Sequence, residues 1–269
     1  MIEANELKGR TALVTGAGDG IGEMLAKGLA ELGMAVGILD IREDAAARVA
    51  ADIGEAAFPL TADVSDRDAL MSAADLVKAR GDGLSVLWIN AGAGVGSKLI
   101  DGKPETINWA YSVNVLGVIW TAQAFVPLMR ETSGPRHLGV TASSASLRDP
   151  DMPMPLYGAT KQASFAVAEG LRNEVAEDGI DTTILCPGLL NTKIWDGARA
   201  RPDRFGGPRS MDPSISKRWD EAKTPDVMWP HIEAKMLAGG GYLVCNTEGR
   251  VREVNTQRAK EIADAFVDV

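Results

Sequence analysis

Short apolar runs that end in small or turn-forming residues alternate along this chain with stretches in which apolar side chains recur every three or four positions. The runs are Arg10 to Thr15 (RTALVT), Met34 to Ile41 (MAVGILDI), Phe58 to Val64 (FPLTADV), Leu84 to Asn90 (LSVLWIN), His137 to Ala142, Ile180 to Leu185 and Tyr242 to Cys245. Runs this apolar on both faces predict strands buried in a parallel sheet. Helical spacing covers EMLAKGLAELG up to Gly33, Glu43 to Ile53, a segment with Ser65 free to cap it that runs to about Arg80, and Lys103 to Met129. It returns from about Leu156 to Ala176, from Val227 to Ala238, and from about Thr256 to Phe266. This alternation predicts an α/β fold, a doubly wound parallel sheet of about seven strands with helices on both faces.

A chain of 269 residues suits one such domain over residues 1–269. The least regular part, about residues 189–230, is rich in Pro, Gly, Arg and Met and holds Trp195, Phe205, Met211, Trp219 and Trp229. It reads either as a lid or substrate wall, or as a loop whose aromatics pack on the body.

Composition narrows the function classes. Hydrophobic residues at 45% and charged residues at 24% are globular values, and a net charge of -9 without a Lys/Arg block argues against nucleic acid. The polar start and the lack of an apolar run near the ~18 residues of a span predict no membrane partner and a soluble, cytoplasmic protein. Cys186 and Cys245 read as buried thiols in a reducing compartment, and two histidines without CxxC or HExxH predict no metal site. His137, at the start of its strand, reads as a surface or packing residue.

The candidate chemistry clusters where predicted strands end. Gly16 to Gly22 (GAGDGIG) lies between a strand and a helix, so that Gly16, Gly18, Asp19, Gly20 and Ile21 form a turn able to bring backbone N–H groups to a pyrophosphate. Asp40, with Ile41 beside it, stands about 20 residues further on, placed to bind ribose hydroxyls and to repel a 2′-phosphate. That predicts NAD rather than NADP, with Arg42 as a cation that could still answer a phosphate. Asp63 and Val64 would lie beside the adenine, and Asn90-Ala91-Gly92 and Pro187-Gly188 with Thr192 close two further strand ends. Asn114 is a lone amide on the apolar face VNVLGVIW, where it must find partners or cost on the order of 1–3 kcal/mol. Tyr157 and Lys161 share a helix face, so the ammonium is expected to lower the phenol pKa into a usable range.

Taken together, the ordered motifs TGAGDGIG (Thr15 to Gly22), NAG (Asn90 to Gly92), VNVLG around Asn114, YGATK (Tyr157 to Lys161) and PGLLNT (Pro187 to Thr192) resemble those of the short-chain dehydrogenase/reductase family over nearly the whole chain. The resemblance implies a Rossmann-like fold and an NAD(H)-dependent oxidoreductase that interconverts a secondary alcohol and a ketone. It implies Tyr157 as general acid/base, Lys161 as its activator and nicotinamide-ribose ligand, Asn114 as anchor of a proton-relaying water, and a serine holding the substrate oxygen. A spacing of thirteen residues before Tyr157 selects Ser144, while the TAS entry motif would select Ser143 if the loop carries one extra residue. Thr160 stands where the family usually has Ser, and SASLRDP replaces a segment that usually carries Gly.

The substrate is expected to be largely apolar, with Arg148 and Lys193 available to an acidic group. Family members are usually homotetramers or homodimers. Alternatives are an NADP(H)-dependent carbonyl or β-ketoacyl-thioester reductase and a non-catalytic cofactor-binding regulator.

Overall fold

The structure, a computed structural model, describes residues 1–147, 154–210, 220–245 and 250–265. Seven parallel strands form one sheet in the order β3-β2-β1-β4-β5-β6-β7. They are β1 Thr11–Thr15, β2 Ala35–Asp40, β3 Ala57–Thr61, β4 Val86–Ile89, β5 His137–Thr141, β6 Asp181–Pro187 and β7 Gly240–Cys245. The helices are α1 Gly20–Glu31, α2 Glu43–Ile53, α3 Arg67–Ala79, α4 Pro104–Tyr111, α5 Gly117–Arg130, α6 Pro155–Ala176, α7 Trp229–Leu237 and α8 Arg250–Ala263. Strand order reverses between β1 and β4, and a crevice opens there at the carboxyl ends of the strands.

Successive strand residues point to opposite faces, and both faces are buried. Leu13, Leu87 and Ile89 enter a core shared with Leu70 of α3, Phe125 of α5 and Ala168 of α6. Ala12, Val14 and Trp88 enter the other, with Leu25 of α1, Val49 of α2 and Ile232 of α7. Trp88 sets the local fit on its side: a Cβ on Gly139 would lie 2.3 Å from its ring, and its Nε1 donates to Thr141 Oγ1 at 3.0 Å. His137 is fully buried rather than at the surface, with Nε2 3.0 Å from Thr183 Oγ1, and burial pushes its pKa down to about 3.

Three expectations change. The cap of α3 is Asp66, which accepts from the Asp68 and Ala69 N–H groups at 3.0 and 3.2 Å, whereas Ser65 is drawn back onto Asp63 Oδ1 by its own N–H and hydroxyl at 2.8 and 2.7 Å. The helix from Lys103 to Met129 is two helices joined by one π-helical turn at Ser112–Leu116, which contains Asn114. The joined run Pro104–Arg130 is also long and apolar enough to cross a membrane, a signal that a search for uninterrupted apolar residues passes over. More than half of its most apolar window, 56%, is buried, with α5 lying against α3 and α6, as in a core helix.

Candidate active site

The crevice is a cleft of roughly 1330 Å³ of free space, open solvent at its mouth included, running from Asp40 and Asp63 at one end to Tyr157 and Trp195 at the other.

Glycines make the first end possible. Gly16 has φ 62° and passes so close to the β4 turn that a Cβ would lie 2.7 Å from Ala91 Cα. Gly22 is tighter still, since a Cβ would meet the Gly16 carbonyl oxygen at 2.1 Å. α1 therefore starts directly under the turn and directs its free N–H groups into the cleft. The β4 turn is tied to β1 by Thr15 Oγ1, which accepts from Asn90 N–H at 3.0 Å and Ala91 N–H at 3.1 Å. Asp40 is buried at the tip of β2, where its carboxylate accepts from Gly18 N–H at 2.9 Å and Arg42 N–H at 3.0 Å. The Arg42 guanidinium is engaged by two acids, Asp40 Oδ1 at 3.2 Å and Asp19 Oδ2 at 2.8 Å.

At the other end α6 carries Tyr157 and Lys161 inward, with exposures of only 4% and 3%. Burial pushes the Tyr157 phenol up to about 12, and a hydrogen bond with the Ser143 side chain is what opposes the rise. The lowering expected from Lys161 is not what acts on the phenol: burial raises it and only the Ser143 hydrogen bond opposes the rise. Lys161 is itself pushed down to about 8 by burial, and its Nζ donates to the Thr141 carbonyl at 3.2 Å. Gly92 leaves room for this group, because a Cβ there would approach Lys161 Nζ to 3.2 Å and Asn114 Oδ1 to 3.3 Å. Asn114 lies behind the cleft wall, its amide satisfied by Ala93 N–H at 2.8 Å, Ala93 C=O at 3.0 Å and Thr160 Oγ1 at 3.0 Å.

The structure separates the two candidate serines. Ser143 lines the cleft and bonds Tyr157, whereas Ser144 is fully buried in the 3-10 turn that follows and is not part of the lining. Counting thirteen residues back from Tyr157 assumes the usual loop length, and from Ser143 this chain has fourteen. Residues 148–153, including Arg148, lie outside the described residues.

Across the cleft runs a strap of two 3-10 turns, Ile194–Ala200 and Asp203–Phe205. Its Trp195 packs edge-on against Tyr157, with ring centroids 5.2 Å apart. Phe205 and Trp229 pack on the body instead, so the aromatics of the irregular segment divide between the two expected roles. Met211 and Trp219 lie outside the described residues.

The family profile described as short chain dehydrogenase matches residues 10–203. The chain is a short-chain dehydrogenase/reductase. It is 31% identical over 251 residues to 1-deoxy-11-beta-hydroxypentalenate dehydrogenase of Streptomyces exfoliatus, covering 91% of this chain and 86% of that protein. A short-chain dehydrogenase/reductase from Burkholderia phymatum, solved in complex with NAD, superposes with TM-score 0.86 at 25% identity over 98% of both chains. An alcohol dehydrogenase from Thermococcus sibiricus, solved with 5-hydroxy-NADP, matches with TM-score 0.71 at 26% identity over 88% of this chain and 96% of that one.

Most residues that sequence nominated in this short-chain dehydrogenase line one cleft: Gly16, Asp19, Gly20, Ile21, Asp40, Ile41, Asp63, Val64, Asn90, Ala91, Gly92, Tyr157, Lys161, Pro187, Gly188 and Thr192. Gly18 stands just outside and acts through its N–H on Asp40. Sequence reasoning missed Thr15 as the tie between the two turns and Arg199 as a cleft residue. Neither carries a local signal, since their partners are 75 and 180 residues away.

Proposed function

We infer that this dehydrogenase interconverts a secondary alcohol and its ketone with NAD(H). The observation that carries the reading is the pairing of Tyr157 with Ser143 beside buried Lys161, at the far end of a cleft whose near end is a glycine turn and Asp40. The cradle fits a dinucleotide, because Cβ atoms at Gly16 or Gly22 would fill it and the start of α1 offers N–H groups to phosphates. When bound, the nicotinamide supplies or accepts hydride.

The protein's own groups supply the rest. A phenol held near 12 stays protonated at neutral pH and is ready to donate to a ketone oxygen held by Ser143. Lys161, with a pKa near 8, is charged below that value and favours the phenolate left after proton transfer. In the reverse direction the phenol must first lose its proton, so alcohol oxidation is expected to gain with rising pH.

Two observations support NAD over NADP. Asp40 lines the adenosine end, and Arg42 is already engaged by Asp40 and Asp19. The Burkholderia relative carries NAD and the Thermococcus one an NADP derivative, so both kinds occur among similar structures. Trp109, Val113, Leu190, Ile194 and Trp195 surround the Tyr157 end and support a largely apolar substrate, with Lys193 as the nearby cation. Exposed Tyr111 and Leu116 near the α4–α5 junction, and Tyr242 and Val244 on edge strand β7, support a homodimer or homotetramer. A cytoplasmic location fits the two free cysteines.

The test is a panel of secondary alcohols and ketones assayed at 340 nm with NAD(H) and NADP(H), with Tyr157→Phe alongside. Turnover with NAD(H) that drops by about 10²-fold or more in the variant is the expected result. Turnover unchanged by the substitution would remove the assignment.

A further inference from the structure

The strap does more in this structure than roof the substrate end. Its root is fixed where Thr192 packs 3.3 Å from the position of a Cβ on Gly20 and where the Ile194 carbonyl accepts from Gly94 N–H at 3.1 Å. From there it turns toward the opposite end of the cleft. Arg199 donates to Asp19 Oδ2 at 2.8 Å, at the residue that precedes α1, and Arg204 donates to Asp63 Oδ2 at 2.6 Å and to Ser65 Oγ at 2.7 Å. Asp19 and Asp63 thus anchor the strap from 180 and 141 residues away in sequence.

Both anchor points flank positions where a dinucleotide meets a doubly wound sheet: its diphosphate at the start of α1, its adenosine beyond β2 and β3. An aspartate beside a diphosphate is repulsive unless a cation accompanies it. Arg199 lines the cleft at that point, held between Asp19 and Asp196 of the strap itself, and Asp19 also pairs with Arg42, so the strap adds a second guanidinium beside Arg42 at the place where two negative charges must settle. Arg204, outside the cleft lining, pins the strap to Asp63 and Ser65 at the adenine end. We propose that Arg199 and Arg204 form a coenzyme clasp: the strap retains the adenosine half of the bound dinucleotide, with Arg199 as the cation beside its diphosphate. This rests on the dinucleotide reading given above, and adds to it a hold on the coenzyme by the strap that also covers the substrate end.

The measurement is NADH release from the full-length protein, followed by fluorescence in a stopped-flow displacement with excess NAD. Arg199→Ala and Arg204→Ala are each expected to raise the release rate about tenfold, the effect of losing one charge-assisted hydrogen bond, and Arg199→Lys to restore most of the loss. Arg130→Ala removes an ion pair of similar exposure, to Asp178, at 2.7 Å, and is expected to leave release unchanged. Release rates in the Arg199 and Arg204 variants equal to wild type would overturn the clasp while leaving the coenzyme site in place. A wild-type protein that binds no NADH would remove the site and the clasp together. Limited trypsin digestion of wild type is independent of whether the variants fold: NADH is expected to slow cleavage after Arg199 and Arg204, and unchanged cleavage there would also overturn the proposal.

Discussion

The floor of the cleft and the strap that crosses it are held by different forces. On the floor, strand ends and glycine turns approach within backbone contact, Tyr157, Lys161 and Asn114 are almost wholly buried, and polar groups are satisfied by short hydrogen bonds to nearby backbone. The strap packs Trp195 on Tyr157 and Phe205 on the body, and adds ion pairs at more exposed side chains, such as Arg199 at 30% and Arg204 at 47%. A desolvated floor can shift pKa values by units and fix reacting groups, whereas half-exposed pairs are weak, screened by salt, and suited to opening and closing. In this reading the chemistry sits on the rigid part and the retention of ligand on the adjustable part.

The largest expected effect lies in the serine pair. Ser143→Ala should lower kcat about 10²-fold or more by removing the partner of the Tyr157 phenol, while Ser144→Ala, beside it but outside the cleft, should lose far less. Equal losses would mean that both serines act only through the shape of the turn.

A second contrast sets glycine against glycine. Gly22→Ala on the floor must displace the Gly16 backbone, and is expected to cost about 1–3 kcal/mol of stability together with NADH affinity. Gly197→Ala in the strap meets nothing nearer than 3.8 Å and should be close to neutral in thermal melts and NADH titrations.

A third contrast is a pH slope. His137 is buried with a folded pKa of about 3 against the ordinary 6.5, so the unfolded chain binds the extra proton between those values. Stability from this group is complete above pH 6.5 and is lost as pH falls, by up to about 1.4 kcal/mol per unit. Urea midpoints of wild type should therefore fall more steeply than those of His137→Gln between pH 6.5 and 4.5.

The same division explains what the sequence could tell. Strands and helices were legible because burial imposes a period on side chains, and the glycine turn, Asp40 and Tyr157-Lys161 because their chemistry depends on local spacing. The choice between Ser143 and Ser144 was not legible because position relative to Tyr157 depends on loop length, not on residue type. The choice between surface and packing for His137 was open because its partner Thr183 sits on a neighbouring strand, and the rise of the Tyr157 pKa was hidden because desolvation is a property of the assembled cleft. The strap was least legible of all. Arg199 and Arg204 carry no local sequence signal, and only the fold brings Asp19 and Asp63 beside them.

The central claim is that this cleft holds NAD(H), with Asp40 excluding a 2′-phosphate. Equilibrium fluorescence titration of the purified protein with NADH and NADPH tests it directly. NADH is expected to bind at least about tenfold more tightly than NADPH, with the gap narrowing in Asp40→Ala. Tighter binding of NADPH, or no binding of either, would contradict the account.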